Sequence, residues 1–534
     1  MRKKTPLQLY MIAGLLLLFM SGMVFRLASV LQGDQVAAAS VRQGRYHLHV
    51  PLTAGTFYDR NLRPMNNTEE TVIAVVSPTP DTLASLFAKL RDREQVAVQL
   101  QHASPFVCYL TEPAIETPNL RILHGKENAS GPLPAQHLLG YRQNGKAAAG
   151  LERCYSEWLN ACDTAADLTF TVNGRGEALP GASGALQYSG MTGGGIVTTL
   201  DLDYQRITEK ALREAEPYAG AAIVLDCKTG EILASASSPV YDPQALAESL
   251  NDPQSPFLNR ALAPYSVGSV FKLVTASAAI ESGISDLYMY TCTGHTTIYG
   301  QNFRCHKLEG HGLLDMEDAM AASCNPYFIS LSQILTAESL HKTASDLGFG
   351  KSVLLAEGFR SESGYLPTVS ELSVDAEKAN FSFGQGKLLA TPIQVAAMTS
   401  CIANGGIYCQ PRLVSGFTMN GRDIQNDGNE EGIRVLQPET ASALQRMMRA
   451  VIYKSDKSNG KPEHVTAAGK TSTAQTGQTA DDGTELCHAW MTGFFPAYHP
   501  QYTVTVLIEN GGSGNQTAAP VFRQIIDAIA LKTR

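Results

Sequence analysis

Ser269-Val270-Phe271-Lys272 sets a hydroxyl and an amine three residues apart in a stretch with helical periodicity. Phe271, Val274 and Ala278 recur at helical spacing, Val270 and Leu273 widen the apolar stripe, and Gly283 supplies a stop. Residues i and i+3 share one face of a helix, so the spacing predicts that Lys272 lays its amine beside the Ser269 oxygen. A serine hydroxyl is a poor nucleophile until a base removes its proton. In the first helical turn Ser269 would also have the positive end of the helix beside any developing oxyanion. A lysine acts as a base only when neutral, which calls for a desolvated pocket or a neighbouring cation. Lys470 and the apolar surroundings of Phe271 are the expected sources. Taken alone, the four residues read more readily as an ordinary helix start with a solvated lysine.

Two further clusters follow in order. Ser323-Cys324-Asn325 reads as a polar pair on a loop after a helix, with Pro326 ending that segment. Ser323 is expected to relay a proton, and Asn325 to hydrogen-bond Lys272 and substrate. An Asx-type turn would look the same. Lys470-Thr471-Ser472-Thr473 opens a run suited to a strand beside the site. The Lys470 ammonium can attract a carboxylate, and a backbone amide near Thr473 can complete an oxyanion hole with that of Ser269. The plain alternative is an edge strand carrying a lysine as a guard against aggregation. Lys228-Thr229-Gly230 spells a similar triplet earlier. It precedes Ser269 and falls at a hairpin turn predicted between strands at 221–225 and 232–235, so it is set aside. An ordered S-x-x-K, S-x-N, K-T-G series is the working set of serine enzymes acylated by penicillin.

With those residues in place, the sequence resembles a class B penicillin-binding protein, a peptidoglycan D,D-transpeptidase, over most of its length. GTFYDRNLRPM (55–65) resembles the family's segment just outside the membrane, and HLLGY (137–141) and GLERCY (150–155) resemble its pedestal domain. LDLDYQ (200–205) and GAAIVLDCKTGEILASASSPVYDP (220–243) resemble the opening of the transpeptidase domain. FGQGKLLATPIQVA (383–396), HAWMTGFFPA (488–497) and AAPVF (518–522) continue the match. The resemblance implies Ser269 as acylated nucleophile, Lys272 as base, and Ser323 and Asn325 as relay and substrate contacts. It also implies Lys470, Thr471 and Thr473 as readers of the substrate carboxylate, with Ser472 in the same binding strand. The implied partners are peptidoglycan stem peptides, β-lactams, the membrane and a polytopic membrane glycan polymerase, since no glycosyltransferase half is expected. No cofactor is implied. The alternatives are a penicillin sensor or non-catalytic cell-wall scaffold, and a D,D-carboxypeptidase or β-lactamase on the same fold. Glu377-Lys378-Ala379-Asn380 superficially resembles a deacylating glutamate motif, but its spacing is not the family's.

Three departures stand out. Ser472 replaces the family's usual glycine, and its side chain is expected to approach the substrate strand, narrowing the cleft or lowering penicillin affinity. Val267-Gly268 stands for Pro-Gly, a milder change. Cys324, inside the second cluster, brings a thiol toward the cleft. None removes a required functional group.

The N-terminus suggests a location. Arg2, Lys3 and Lys4 precede an apolar run from Leu9 to Phe25, closed by Arg26. The run approaches the ~17–25 residues that span a bilayer, and its basic flank should stay cytoplasmic. The expectation is a cytoplasmic tail at 1–6, a transmembrane anchor at 7–26 and an extracytoplasmic catalytic domain. Ala37-Ala38-Ala39 offers a signal-peptidase alternative, but lies well past the run. The 534 residues are 44% hydrophobic with a formal charge of −8 and no basic block beyond the first residues, which argues against nucleic acid as a partner.

Ten cysteines are many for an exported enzyme. Cys292 with Cys305, Cys401 with Cys409 and Cys154 with Cys162 are candidate disulfides, while small buried thiols are the equal alternative. Cys292 and Cys305 near His295, His306 and His311 offer zinc-ligand types. Without a C-x-x-C knuckle no metal is assigned. The predicted fold is α+β: a transpeptidase (serine β-lactamase-like) domain at 196–534, with helices packed on an antiparallel sheet that includes the Lys470 strand. An elongated, strand-rich pedestal or dimerisation-type domain at 40–190 precedes it. Thr391-Pro392-Ile393-Gln394 is a capping box opening a helix to Asn404. Residues 502–509 alternate as a strand, and a last helix covers about 520–532.

Overall fold

The computed structural model describes residues 5–32, 44–100, 104–179, 185–216, 219–426, 428, 431–454 and 458–533. Arg2, Lys3, Lys4 and Ala37-Ala38-Ala39 lie outside them. Thr5–Gln32 is one helix, and its Leu9–Ser29 stretch is long and apolar enough to cross a membrane.

The chain divides into two compact units. The first takes in residues 1–54, 67–127 and 163–191. Its strand Glu69–Val76 pairs with Phe106–Leu110 and Leu120–Glu127, and Arg45–Thr53 pairs with Thr164–Thr171, which pairs in turn with Ala185–Ser189. The second unit holds 192–534 together with 55–66 and 128–162, so two segments inside the span 40–190 pack with the catalytic motifs. The 55–66 segment is held there by the buried Asp59. That carboxylate accepts from the amides of Asn61, Arg63 and Leu202 and pairs with the Arg63 guanidinium, which also reaches Asp201 and Asp203.

The centre of the second unit is a five-stranded sheet. Its order is Ile232–Ser238, Gly220–Asp226, Tyr502–Ile508, Glu485–Phe495 and Ala468–Thr479, every neighbour antiparallel. Strand alternation sends Val504, Val506 and Ile508 to one face, against Phe522, Ile525 and Ile529 of the helix Ala519–Lys532. Leu507 faces the opposite side, where it joins Met398 of the helix Pro392–Ala403 and Met447 of Pro438–Tyr453. Thr391 and Gln394 form the capping box in full, and Pro392 occupies the first turn. The strand and terminal-helix expectations at 502–509 and 520–532 are met within a residue or two.

One local reading changes. Asn325 opens the helix Asn325–Ile334 and Pro326 sits in its first turn, instead of ending a loop. Proline there sacrifices an N–H that a helix start leaves unpaired anyway.

Candidate active site

Ser269 lies in a tight 3₁₀ turn, Gly268–Phe271, that runs straight into the helix Lys272–Glu281. With about three residues per turn, side chains at i and i+3 nearly eclipse. Lys272 Nζ is accordingly 3.0 Å from Ser269 Oγ. The turn is made possible by Gly268, whose φ is +62° and whose N–H donates to Gly384 O at 2.8 Å. A Cβ on Gly384 would lie 2.1 Å from Gly268 O, so glycine is needed on both sides of that contact. Gly384 belongs to the quoted FGQGKLLATPIQVA stretch, but nothing in the sequence marked its partner.

Lys272 is fully buried. Its Nζ lies 2.7 Å from Ser323 O, 2.6 Å from Asn325 Oδ1 and 3.1 Å from Ser323 Oγ. The two shortest partners can only accept, so they use the two hydrogens of a neutral amine. The lone pair is then left for the Ser269 hydroxyl, which would donate to it. Burial, reinforced by the positive Lys470, pushes the Lys272 amine well below the ordinary lysine range. The Phe328 ring, 5.6 Å from Nζ, forms part of the apolar wall.

Ser323 follows the helix Met316–Ala321 in the left-handed region, with φ +52°. A non-glycine residue holds that conformation only where its surroundings enforce it. The result is a hydroxyl set between two lysines, since Lys470 Nζ is 3.0 Å from the same Ser323 Oγ. Lys470 is 1% exposed, and burial pulls its amine down to about 7. Its ammonium also donates to Thr471 O at 2.9 Å.

The Lys470 strand is the edge of the sheet, so alternate main-chain groups face away from it and are open to an extended ligand. Strand alternation decides the side chains. Lys470, Ser472 and Ala474 are buried, whereas Thr471 is half-buried and Thr473 exposed. The Thr473 hydroxyl accepts from Gly514 N at 3.3 Å.

Ser472 does not project into an open cleft as expected. It is 3% exposed and faces Gly268: a Cβ added there would meet Ser472 Oγ at 2.4 Å. The extra atom takes up space beneath the Ser269 turn, because position 472 shares the inward face with Lys470. The five catalytic candidates therefore converge through Ser269, Lys272, Ser323, Asn325 and Lys470, while Thr471, Ser472 and Thr473 alternate along the adjoining edge.

This geometry coincides with a family match. The penicillin binding protein transpeptidase domain family matches residues 220–527. The peptidoglycan D,D-transpeptidase PbpA of Mycolicibacterium smegmatis is 30% identical over 430 residues, covering 75% of this chain and 82% of that one. The chain belongs to the penicillin-binding protein transpeptidase family. Stage V sporulation protein D of Bacillus subtilis is 29% identical over 413 residues, covering 73% and 61% of the two chains. Penicillin-binding protein A from Mycobacterium tuberculosis, solved as a ceftriaxone acyl-enzyme complex, superposes with a TM-score of 0.62 at 25% identity, covering 76% of this chain and 93% of that one.

Among the cysteines, Cys292, Cys305, Cys401 and Cys409 are free thiols, as is Cys154, so none of the three candidate disulfides is formed. Cys324 is fully buried among core residues, so its thiol is not exposed in the cleft.

Proposed function

We propose that this protein cross-links peptidoglycan as a D,D-transpeptidase through an acyl-enzyme on Ser269. The observation that carries the reading is the buried Lys272 amine, 3.0 Å from Ser269 Oγ and 3.1 Å from Ser323 Oγ, with Lys470 on the far side of Ser323. Neutral Lys272 takes the Ser269 proton as Oγ attacks the carbonyl between the terminal D-alanines of a stem peptide. The amide of Ser269 and one from the edge strand near Thr473 hold the oxyanion. The proton passes by way of Ser323 to the leaving amine, D-alanine departs, and an ester to Ser269 remains. An amine of a neighbouring stem attacks that ester, forming the new peptide bond and restoring the serine. Lys470, with Thr471 and Thr473, receives the terminal carboxylate, and Asn325 orients Lys272 and the substrate amide. The chemistry exchanges one acyl bond for another and needs no nucleotide.

β-Lactams would mimic the terminal dipeptide and trap the ester. The relative's ceftriaxone acyl-enzyme supports this, and the M. smegmatis relative, a peptidoglycan D,D-transpeptidase, supports the cross-linking reaction. The apolar N-terminal helix supports a single-pass anchor. Its basic flank favours a cytoplasmic N-terminus with the catalytic unit outside, where a membrane glycan polymerase would supply the strands to be joined. The residues between anchor and catalytic unit would act as a pedestal.

The test is intact mass of the full-length protein in detergent, followed for hours after addition of a β-lactam, with peptide mapping of any adduct. A lasting adduct on Ser269, absent from Ser269→Ala, is expected. An adduct that turns over with loss of drug would make the enzyme a hydrolase. A lasting adduct without cross-linking of stem-peptide substrates would make it a sensor or scaffold.

A further inference from the structure

Three cysteines and a histidine from separate stretches of chain meet directly behind the Ser323-Cys324-Asn325 cluster. The donor atoms of Cys292, Cys305, His311 and Cys324 all lie within 4.8 Å of one another. Cys305 Sγ is 3.4 Å from His311 Nδ1. No disulfide joins them, and three thiols with one imidazole cannot all be satisfied by disulfides. We propose that these four side chains bind one zinc ion, and that the ion positions the Ser323-Cys324-Asn325 cluster.

The donor chemistry selects the metal. Three thiolates and one neutral imidazole form a soft set of four ligands, the composition of closed, tetrahedral structural zinc sites. Zn–S bonds of about 2.3 Å and a Zn–N bond of about 2.0 Å bring such donors to within about 3.8 Å of each other. Closing around an ion therefore asks these groups to draw in by about 1 Å at most. Binding releases three thiol protons to solvent and leaves one net negative charge on the site.

A second observation points the same way. Residues 290–314 form an excursion of four short strands between two core helices: Tyr290–Cys292 pairs with Gly312–Leu314, and His295–Ile298 with Gln301–Arg304. Its buried side chains are Cys292, Phe303, Cys305 and Leu314, too few to make a core for 25 residues. Small segments of this kind are commonly held by a metal or a disulfide. The main chain is also wound tightly around the thiols. Gly310, with φ +86°, leaves no room for a Cβ, which would lie 2.3 Å from Cys292 O, and Cys305 N–H donates to Gly294 O at 2.8 Å.

Cys324 links this excursion to the catalytic residues. It is fully buried, it occupies the position just before the helix Asn325–Ile334, and its neighbours on both sides bond Lys272. Anchoring its sulfur to an ion fixes the main chain on which the left-handed Ser323 depends. Cys324 and its three partners are thus positioning residues. This positioning consequence rests on the role proposed above for Ser323; the presence of the metal does not.

The experiment measures metal in the full-length protein, purified in detergent with thiols kept reduced and zinc present. One equivalent of zinc by mass spectrometry of the metal is expected, and cobalt(II) exchanged into the site should give the intense visible bands of a tetrahedral thiolate site. Zinc-free protein with intact thiols, or a Cys292–Cys305 disulfide in peptide maps of protein isolated without reductant, would overturn the proposal. Cys305→Ser should lose the metal, whereas Cys487→Ser, outside the cluster, should keep it. Acylation of Cys305→Ser by a β-lactam should slow by about 100-fold, as misplacement of the relay hydroxyl demands. Unchanged acylation in metal-free protein would overturn the positioning role while leaving the metal site standing. If Cys305→Ser does not fold, the cobalt spectrum of the unsubstituted protein still decides whether the site exists. A failure of the transpeptidase reading would show itself separately, as an absent Ser269 adduct in zinc-loaded protein.

Discussion

Lys228-Thr229-Gly230 and Lys470-Thr471-Ser472 are near-identical triplets with opposite environments. The first fits the family spelling better and is a surface turn: Asp226 Oδ1 accepts from the amides of Lys228 and Thr229, Gly230 takes φ +71°, and the Lys228 side chain is exposed. The second departs from that spelling, yet it lies in an edge strand that turns Lys470 inward, onto Ser323. A turn presents its lysine to water, where the ammonium is stabilised and chemically inert. A strand backed by core helices removes water and lowers the amine's proton affinity. What makes a lysine part of a site is which way the pleat faces and what lies behind it.

The sharpest break in this comparison comes from the lysine with the most partners. Replacing Lys272 with Met keeps much of the volume but removes the base, so β-lactam acylation should fall by about a thousandfold or more. Thermal unfolding of Lys272→Met should stay close to that of the unsubstituted protein, because trading a buried amine for an apolar side chain relieves desolvation while leaving Ser323 O and Asn325 Oδ1 short of a donor. A collapse in melting temperature matching the loss of acylation would assign Lys272 to structure instead.

The two triplets should also separate by pH. Lys470 is held near 7, so its charged, carboxylate-attracting form is lost as pH rises through that value in the free enzyme. Lys272 must be neutral, and its depressed proton affinity places that requirement on the acidic side. The second-order rate of acylation by an anionic β-lactam should therefore rise and then fall with pH, the alkaline limb belonging to Lys470. Lys470→Ala should lower the maximum by about 100-fold and abolish the alkaline limb. Lys228→Ala should leave rate and profile alone, with less than about 0.5 kcal/mol change in stability. Stopped-flow acylation of the three proteins across pH 5–10 decides it; an alkaline limb that survives Lys470→Ala would return the limb to another group.

Sequence pattern reached the residues that converge at the candidate site because their chemistry is written locally. Ser269 and Lys272 share one turn, Ser323 and Asn325 flank one residue, and Lys470 opens an alternating strand. Four strands of the central sheet and its helices at 392–403 and 519–532 were legible for the same reason, down to the capping box at Thr391, whereas the strand Glu485–Phe495 and the helix Pro438–Tyr453 were not. Pro326 was misread because a proline near a polar pair ends a segment or begins one with equal ease. Cys292, Cys305 and His311 offered zinc-ligand types in the sequence but no knuckle spacing, and distance along the chain hid the fourth member of the cluster, Cys324, which stood out only as an oddity in the second motif. Joining 55–66 and 128–162 to the catalytic unit likewise depends on contacts such as Asp59 with Leu202 N, which no local pattern announces.

Ser472 is the point where local spelling and environment disagree most, and it carries the smallest prediction. Read from the family pattern, a serine at this position crowds the ligand. In the fold its hydroxyl faces Gly268, out of solvent, and has no hydrogen-bond partner among the described residues. Leaving such a group buried costs about 1–3 kcal/mol, and Ser472→Gly removes that penalty. The same change loosens a strand interior, at about 0.5–1 kcal/mol. The two terms oppose, so melting temperature should move only slightly, and upward if at all. Acylation should change less than about threefold, since no atom is removed from the face that meets the ligand and the Ser269 turn keeps its Gly268–Gly384 bond. A tenfold gain in β-lactam acylation by Ser472→Gly would mean that the hydroxyl rotates out toward the ligand, and that spelling rather than pleat governs this position. The inward pleat that buries Lys470 argues otherwise, because residues 470 and 472 must share a face.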